Sequence, residues 1–237
     1  MLAVMGAMEE EVELLRGGMD VSGESVHAGV NVIQGTFRDT EIVLVRCGIG
    51  KVNAAICTQM LIDLFKPDRL VFSGVAGGLL PNMAVGDLII ASHLIQFDVD
   101  LTAFGRRHGE LPDRDRMIQS DPRFVELAAD AFDLAFPDAG AGDPNLMIGT
   151  IVSGDRFVKD SKTLRWLQRE FAALATEMEG AAVGYTCNLG NVPFVVVRGL
   201  SDTAGESAPD DFSENLHKVC VSSHRLLEKL IPMIGNA

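Results

Sequence analysis

Glu11 is the first side chain in the sequence whose position suggests chemistry. Residues 8–16 follow a helical pattern, and at about 100° per residue Glu11 falls inside the apolar arc beside Leu14 and Leu15. Burying an ionised carboxylate is costly unless it is paired, and burial raises its pKa, which suits a general acid or base. The same short pattern also fits a different role, in which Glu11 lies at the edge of the helix and only complements the helix dipole. Both interpretations stay open.

A second pair of carboxylates, Glu177 and Glu179, flanks Met178. The pair lies between a predicted short strand at 174–176 and a predicted helix, 179–189, that has no charged residue after Glu179. Two carboxylates at the mouth of a buried helix fit a site that accepts hydrogen bonds from sugar hydroxyls. Capping of the same helix N-terminus is the alternative.

A cation and a carboxylate follow the apolar run 194–197. Arg198 ends this predicted strand, and Ser201 and Asp202 come just beyond it. In α/β sheets, ligands bind at the carboxyl ends of strands, so these side chains are placed as binding residues should be. An ion pair between Arg198 and Asp202 with a purely structural role is the competing interpretation.

Two further segments combine an apolar strand with glycine. Residues 74–78 (Gly-Val-Ala-Gly-Gly) end the predicted strand 69–75, and glycines there let a ligand approach the backbone, although a tight turn has the same composition. Phe157 follows the predicted strand 147–153 and Gly154. It is placed to stack on a flat ring, while a core position is the more common role for such a phenylalanine.

Several kinds of chemistry have no support in the sequence. The five histidines form no metal-binding spacing, and no serine lies in a GxSxG motif. The four cysteines form no CxxC pair, which argues against a disulfide framework or a structural zinc site. A metalloenzyme or a triad hydrolase therefore has no support in the sequence.

The elements that must position these residues alternate between two periods. Apolar runs predict strands, and stretches of helical periodicity separate most of them; the clearest helices are predicted at 51–65, 121–136 and 162–171, with a long closing helix from about 210 to 234. This alternation predicts an α/β fold with a mostly parallel or mixed sheet. No repeat or linker interrupts it, so we expect one domain over residues 1–237.

The charge balance limits the partners. Twenty basic against 33 acidic residues give a net charge of −13, and such a surface repels phosphate backbones and anionic lipid. The acidic N-terminal stretch is not a secretory signal, and no apolar run is long enough to span a bilayer. We expect a cytoplasmic protein with a small-molecule ligand, without nucleic-acid or membrane partners.

At these same residues the chain closely resembles the 5′-methylthioadenosine/S-adenosylhomocysteine nucleosidases of the purine nucleoside phosphorylase-like superfamily. The matching motifs run in family order over nearly the whole chain, and together they are highly specific. They are Gly6-Ala-Met-Glu-Glu-Glu11, Gly48-Ile-Gly-Lys-Val52, Gly74-Val-Ala-Gly-Gly78, Thr102-Ala-Phe-Gly105, Val152-Ser-Gly-Asp155, Glu177-Met-Glu179 and Val195-Val-Val-Arg-Gly-Leu-Ser-Asp202.

The resemblance implies a single α/β domain with a mixed, partly barrel-like sheet flanked by helices, and it implies no metal and no organic cofactor. It implies hydrolysis of an adenosine N-glycosidic bond, which gives adenine and a 5-thio-substituted ribose, and a role in methionine salvage and S-adenosylhomocysteine removal. By position, Glu11 would orient the attacking water. Asp202 would protonate or hydrogen-bond adenine N7, helped by Ser201. Glu179 would hold the ribose hydroxyls next to Met178.

The remaining site residues are also carried over by position. Phe157 would stack on the base, the backbone of Val158 would read the edge of the base, Arg198 would help to bind the water or the ribose, and Ile49 would contact the 5′ end. The resemblance further implies a homodimer. Apolar side chains of the long connection after residue 100 would then lie near the 5′ pocket of the other subunit; they are Leu101, Phe104 and Pro112.

Two departures from the family pattern concern the substrate. Val75 stands where relatives often have serine, so one polar contact to the substrate is absent, and Arg106-Arg107-His108 stands where relatives often have an aromatic residue. The preferred 5′ substituent therefore stays open. The rival functions are a purine nucleoside phosphorylase, an aminofutalosine nucleosidase and a non-catalytic purine-nucleoside binding protein. The acidic segment 6–11 would repel phosphate, and a mere binder has no use for Glu11, Glu179 and Asp202 together.

Overall fold

The computed structural model describes residues 1–137 and 142–237, which form a ten-stranded sheet with helices on both faces. The strands are β1 (Leu2–Gly6), β2 (Asp20–His27), β3 (Val30–Phe37), β4 (Thr40–Arg46), β5 (Arg69–Gly78), β6 (Leu88–Gln96), β7 (Ile118–Gln119), β8 (Leu146–Ser153), β9 (Ala175–Glu177) and β10 (Phe194–Asp202). The helices are α1 (Glu9–Gly17), α2 (Lys51–Phe65), α3 (Pro122–Ala135), α4 (Ser161–Phe171), α5 (Gly180–Gly190) and α6 (Ala208–Gly235).

Part of the sheet closes on itself. Strands β5, β10, β6, β8 and β9 pair in that order, and β9 pairs back with β5, while β1, β4, β3 and β2 extend the sheet from the other edge of β5. Strand β5 is parallel to β1 and β10 but antiparallel to β9, and β10 is antiparallel to β6. The prediction of an α/β fold with a mixed, partly barrel-like sheet is confirmed.

Apolar sequence explains the central strands. Every residue of β1 and β10 is buried, as expected for strands covered by helices on both faces. One apolar layer joins the sheet to α2 and α5, through side chains such as Leu61 and Val183. The other joins it to α3 and α6, through side chains such as Phe132 and Leu230. The sheet is thus fixed from both sides, and its strand ends are rigid positions for a site.

The helices follow the predicted pattern closely. Helix α2 has the predicted bounds, and the carboxylate of Asp121 caps α3 by accepting a hydrogen bond from the backbone N–H of Phe124 at 3.1 Å. Helix α6 is 28 residues long and buries one side only. Of the helices in the described residues, none is both long and apolar enough to cross a membrane.

Three features differ from the sequence-based predictions. The glycine-rich segment 74–78 is not a loop after a strand but the second half of β5, because β10 and β9 pair with it on either side. Strand β10 likewise continues through Asp202 rather than ending at Arg198. Strands β2 and β7 and the short 3₁₀ turn Thr102–Phe104 were not predicted; β2 is mostly exposed and polar, so it lacks an apolar signal.

Candidate active site

A cavity opens beside β5, β9 and β10, next to the segment that follows β8 and to the first turn of α1. About 610 Å³ of empty space, open solvent included, lies among the lining atoms. Its lining combines carboxylates with apolar and aromatic side chains. The lining residues are Ala7, Met8, Glu11, Ile49, Val75, Ala76, Gly77, Arg156, Phe157, Val158, Thr176, Glu177, Met178, Glu179, Ser201, Asp202 and Phe212.

Glu11 reaches the cavity from the first turn of α1. One carboxylate oxygen accepts hydrogen bonds from the N–H groups of Ala7 and Met8, at 2.6 and 2.9 Å. The other accepts one from Val75 N–H on β5, at 3.0 Å. Burial raises the pKa of Glu11, while Arg198 and these three backbone donors oppose the rise. Glu11 thus binds the N-terminus of its helix and also lines the cavity, while its role as a general acid or base stays a prediction.

Arg198 lies behind the cavity wall rather than in it. The side chain is fully buried, its guanidinium carbon lies 4.1 Å from the centre of the Phe72 ring, and its Nη2 donates to Glu177 Oε2 at 2.6 Å. Its Nη2 is also 4.0 Å from Glu179 Oε2. Burial opposes the charge of Arg198, but the surrounding carboxylates, led by Glu177, raise its pKa. The predicted ion pair with Asp202 is not the one formed.

Glu177 and Glu179 have different environments although they are two residues apart. Glu177 Oε2 accepts from the backbone N–H of Glu179 and Gly180, at 3.1 and 2.7 Å, in addition to Arg198. Glu179 Oε1 accepts one backbone bond, from Gly50 at 2.7 Å. Burial, followed by the charge of Glu177, raises the pKa of Glu179. Of the two, Glu179 has the carboxylate with free acceptor capacity toward a ligand.

Asp202 is buried at the far end of the cavity. Its Oδ1 accepts from Ala204 N–H at 2.7 Å, and its Oδ2 accepts from the Ser201 hydroxyl at 2.9 Å. Burial raises the pKa of Asp202, and these two hydrogen bonds partly oppose the rise. The Ser201 contact that the sequence suggested is present. The environment thus favours a protonated Asp202 more than ordinary solvent does.

Close backbone approach explains why β5 carries glycine here. A Cβ on Gly74 would lie 2.7 Å from both Glu11 Oε1 and Arg198 Nη1, and one on Gly77 would lie 2.8 Å from Asp202 Oδ1. The register of β5 against β10 produces these close approaches, because Gly74 pairs with Arg198 and Gly77 pairs with Asp202. Gly74 and Gly77 are three residues, or about 10 Å, apart along the strand, so Glu11 and Asp202 approach β5 at two separate points.

Two aromatic rings form one wall of the cavity. Phe157, which is 42% exposed, and Phe212 pack edge to face with their ring centres 5.9 Å apart. Apolar side chains of Ile49, Val158 and Met178 complete this part of the lining. Aromatic and apolar surfaces of this kind pack against flat rings.

The cavity brings together most of the residues predicted from the sequence. Ten of the twelve line it, namely Glu11, Ile49, Val75, Phe157, Val158, Glu177, Met178, Glu179, Ser201 and Asp202. Arg198 lies one layer behind. Phe104 does not line the cavity and is 82% exposed.

Seven lining residues were not among the predicted site residues, namely Ala7, Met8, Ala76, Gly77, Arg156, Thr176 and Phe212. Phe212 did carry a signal, because it is the lone aromatic residue in the acidic stretch 210–214. Within residues 1–137 and 142–237, no group of three or more histidine, cysteine or acidic side chains has a geometry that could hold a metal ion.

Comparison with known proteins agrees with the motifs. The profile of the phosphorylase superfamily matches residues 1–232. The 5′-methylthioadenosine/S-adenosylhomocysteine nucleosidase of Geobacillus thermodenitrificans is 39% identical over 233 residues, which cover 98% of this chain and 96% of the relative.

Solved structures give the same result. The nucleosidase of that name from Neisseria meningitidis, in complex with methylthio-immucillin-A, superposes with a TM-score of 0.91 at 35% identity and covers 98% of both chains. Futalosine hydrolase of Helicobacter pylori also superposes with a TM-score of 0.91, at 33% identity, over 98% of this chain and 97% of that one. The chain therefore belongs to the phosphorylase superfamily and, within it, to the 5′-methylthioadenosine/S-adenosylhomocysteine nucleosidases, a family of enzymes, as its motifs indicated.

Proposed function

We propose that the protein hydrolyses the N-glycosidic bond of 5′-methylthioadenosine and S-adenosylhomocysteine and releases adenine and the 5-thio-substituted ribose. The observation that carries this proposal is the placement of Glu11 and Asp202 beside Gly74 and Gly77, about 10 Å apart along β5, with Glu179 in the same cavity. Cleaving this bond leaves positive charge on the ribose and electron density on the base. A carboxylate on the ribose side stabilises the positive charge, and a carboxyl group on the base side stabilises the electron density on the base.

Glu11 acts on the ribose side. Its carboxylate is held by three backbone donors and lies beside Arg198, so its orientation is fixed before a ligand binds. In that position it accepts a proton from a water molecule and aims the water oxygen at the anomeric carbon. It also stabilises the oxocarbenium-like charge that develops on the sugar.

Asp202 acts on the base side. Leaving adenine gains electron density, and a proton at N7 makes it a better leaving group. Asp202 delivers that proton if it is protonated when substrate binds, and burial raises its pKa in this direction. Ser201 donates to the second oxygen and fixes the orientation of the carboxyl group.

The other lining residues position the nucleoside. Glu179 accepts hydrogen bonds from the ribose hydroxyls, and the Phe157 and Phe212 rings lie against the adenine. The backbone of Val158 is placed to read the edge of the base. Ile49, which is 54% exposed at the mouth of the cavity, contacts the 5′ substituent.

Charge argues against a phosphorylase. A phosphate nucleophile would have to bind near Glu11, where the fixed charges are carboxylates. Arg198, the guanidinium behind this wall, is already bound to Glu177. Arg156 lines the cavity but pairs with Asp160 at 2.9 Å. Water is therefore the nucleophile that the site accommodates.

Futalosine hydrolase activity is the second candidate function. It is favoured by the similarity to the Helicobacter pylori enzyme of that name, which is as close in structure as the nucleosidase itself. Both reactions would use the same carboxylates, and only the group at the 5′ end differs. The 5′ end of this cavity is open to solvent at Ile49, so a larger substituent is sterically possible.

We also propose that the protein is a homodimer. Apolar side chains on the outer face of α2, Val52 and Ile56, are more than half exposed and continue from Ile49 at the cavity mouth. Phe104 is exposed as well, on the connection between β6 and β7. A second copy of the chain would cover this apolar surface and bring Leu101, Phe104 and Pro112 to the neighbouring 5′ pocket.

The decisive experiment is a panel of 5′-substituted adenosines with adenine release as the readout, in the presence and absence of phosphate. Rapid, phosphate-independent release from methylthioadenosine and S-adenosylhomocysteine, with free 5-thioribose as the other product, supports the proposal. Formation of a ribose 1-phosphate would assign the protein to the phosphorylases. A strong preference for aminofutalosine would select the second candidate. The roles in methionine salvage and the cytoplasmic location stay predictions.

A further inference from the structure

Ser153, which ends β8, has a fully buried hydroxyl with two hydrogen bonds inside the protein. The hydroxyl accepts from the backbone N–H of Ala181 at 2.7 Å, in the first turn of α5. It donates to Glu177 Oε1 in a short contact. The register of β8 against β9 sets this contact, because Ser153 pairs directly with Glu177. Ser153 lies outside the cavity and cannot touch a ligand there.

The carboxylate of Glu177 is therefore surrounded by donors. Oε1 accepts from Ser153, and Oε2 accepts from Arg198, Glu179 N–H and Gly180 N–H. These four donors fill the acceptor sites of Glu177 from inside the protein, and one of them, Arg198, forms an ion pair with it. Glu177 therefore serves as the fixed partner of Arg198 rather than as a ligand for sugar hydroxyls.

Glu177 holds Arg198 in place through their ion pair. The guanidinium packs on the Phe72 ring and donates to Glu177, and its Nε has no hydrogen-bond partner among the described residues. Its position therefore depends on Glu177 more than on any other polar contact. The charged groups that face it are Glu177 and Glu179 at the start of α5 and Glu11 on α1. The nearby Cys47 thiol stays neutral, because burial raises its pKa.

We propose that Ser153 is a positioning residue for hydrolysis, because its hydroxyl orients Glu177 and thereby fixes Arg198 beside Glu11 and Glu179. The inference rests on the proposed nucleosidase reaction, in which those two carboxylates act on water and ribose. Loss of the hydroxyl leaves Glu177 Oε1 and Ala181 N–H without partners in a buried place. Glu177 then turns toward its remaining donors, and Arg198 moves with it.

Ser153→Ala should lower kcat/KM for methylthioadenosine by about tenfold to a hundredfold, because small displacements of positioned groups cost that much. The loss should fall mainly on kcat. An opposite charge in close contact shifts a carboxyl pKa by about 1–3 units, so a displaced Arg198 should move the acid limb of the pH profile upward by about one pH unit. Ser153→Cys keeps the shape of the side chain but replaces the hydroxyl with a larger and weaker donor, so it should show the same change in smaller degree.

Ser120 provides the matched control. It is a serine at the end of β7 that is equally buried, and its hydroxyl has no partner in the described part of the chain. Ser120→Ala should leave kcat/KM and the pH profile unchanged. The second test is a double-mutant cycle with Glu177→Gln. If Ser153 acts through Glu177, the double variant should be little worse than Glu177→Gln alone, because the two losses are not additive.

Three results would overturn the inference. The first is a Ser153→Ala enzyme within about twofold of wild type with an unmoved acid limb. The second is full additivity with Glu177→Gln, and the third is an equal shift in the Ser120→Ala control. Absence of adenine release by the wild-type protein is a different outcome, because it would overturn the proposed function itself. If Ser153→Ala does not fold, the Ser153→Cys variant gives the same comparisons.

Discussion

Gly77 and Asp202 are register partners on neighbouring parallel strands, and a Cβ on Gly77 would lie 2.8 Å from Asp202 Oδ1. Because Gly77 has no side chain, the carboxyl group of Asp202 can lie directly against the backbone of β5. Gly77→Ala should therefore push the Asp202 side chain away and lower kcat at least about tenfold, since misplacement of a reacting group by about 1 Å is costly.

The measurement for Gly77→Ala is steady-state adenine release. Gly17→Ala is the control, because nothing lies within 4 Å of a Cβ at Gly17. Its activity should equal that of the wild type. Full activity of Gly77→Ala would mean that the position of Asp202 against β5 does not matter for the reaction.

Glu11→Gln should lower kcat by at least about a hundredfold, the scale of a lost general base, and leave KM within a few-fold. The amide keeps the shape, and its single oxygen can still accept from Ala7 and Met8 while the bond from Val75 is lost, so the fold should persist. Glu13→Gln, on the exposed side of the same helix, is the control. Near-normal turnover of Glu11→Gln would leave Glu11 with its helix-capping role alone.

Asp202→Asn should cost more in kcat than in substrate binding. The amide can still hydrogen-bond N7 but does not deliver a proton as a carboxylic acid does. A substrate whose base leaves easily without protonation should be much less affected than methylthioadenosine, and the ratio of the two losses is the quantity to measure. Equal losses for both substrates would show that Asp202 is not the acid.

Glu179→Gln should make the protein more stable at neutral pH. Burial and the charge of Glu177 raise the pKa of Glu179 in the folded state above its ordinary value of 4.5. For such a group, stability is fully present below the unfolded pKa and is lost as pH rises toward the folded pKa. The variant removes this loss, so its Tm should exceed that of the wild type by about 2–4 °C for each kcal/mol regained.

The difference in Tm between Glu179→Gln and wild type should be present at pH 7 and shrink toward zero at pH 4, as calorimetry at both values would show. Glu10→Gln, at an exposed position on α1, should show no such pH dependence. A difference in Tm that stays constant over this range would contradict the pKa direction assigned to Glu179. Activity of the variant should fall at the same time, because its ribose contact is altered.

Phe104→Asp should weaken subunit association, since it places a charge on a side chain that is 82% exposed in one subunit. The variant should sediment as a monomer at concentrations where the wild type is a dimer, and its specific activity should fall on dilution. Leu134→Asp is the control, because Leu134 is an exposed apolar residue on α3, away from the α2 face. A fully active monomer would contradict the proposal that two subunits contribute to one site.

The sequence alone determined the local structure and the set of chemical groups. Helical periodicity predicted α2 with its observed bounds, and the apolar runs predicted the central strands. Motif order identified the family and ten of the residues that line the cavity. These features depend on neighbouring residues or on residue type, which a sequence displays directly.

Only the tertiary structure decided which of these groups meet. Gly50 N–H binds Glu179 across 129 residues, and Glu177 rather than Asp202 binds Arg198. The glycine segment of β5 is a strand because two other strands pair with it, and Phe212 joins the cavity from the start of α6. Each of these facts depends on strand register and on close approach between distant segments. Local residue propensities do not reveal such long-range pairing, because the contacts that stabilise the pairing form only when the sheet closes.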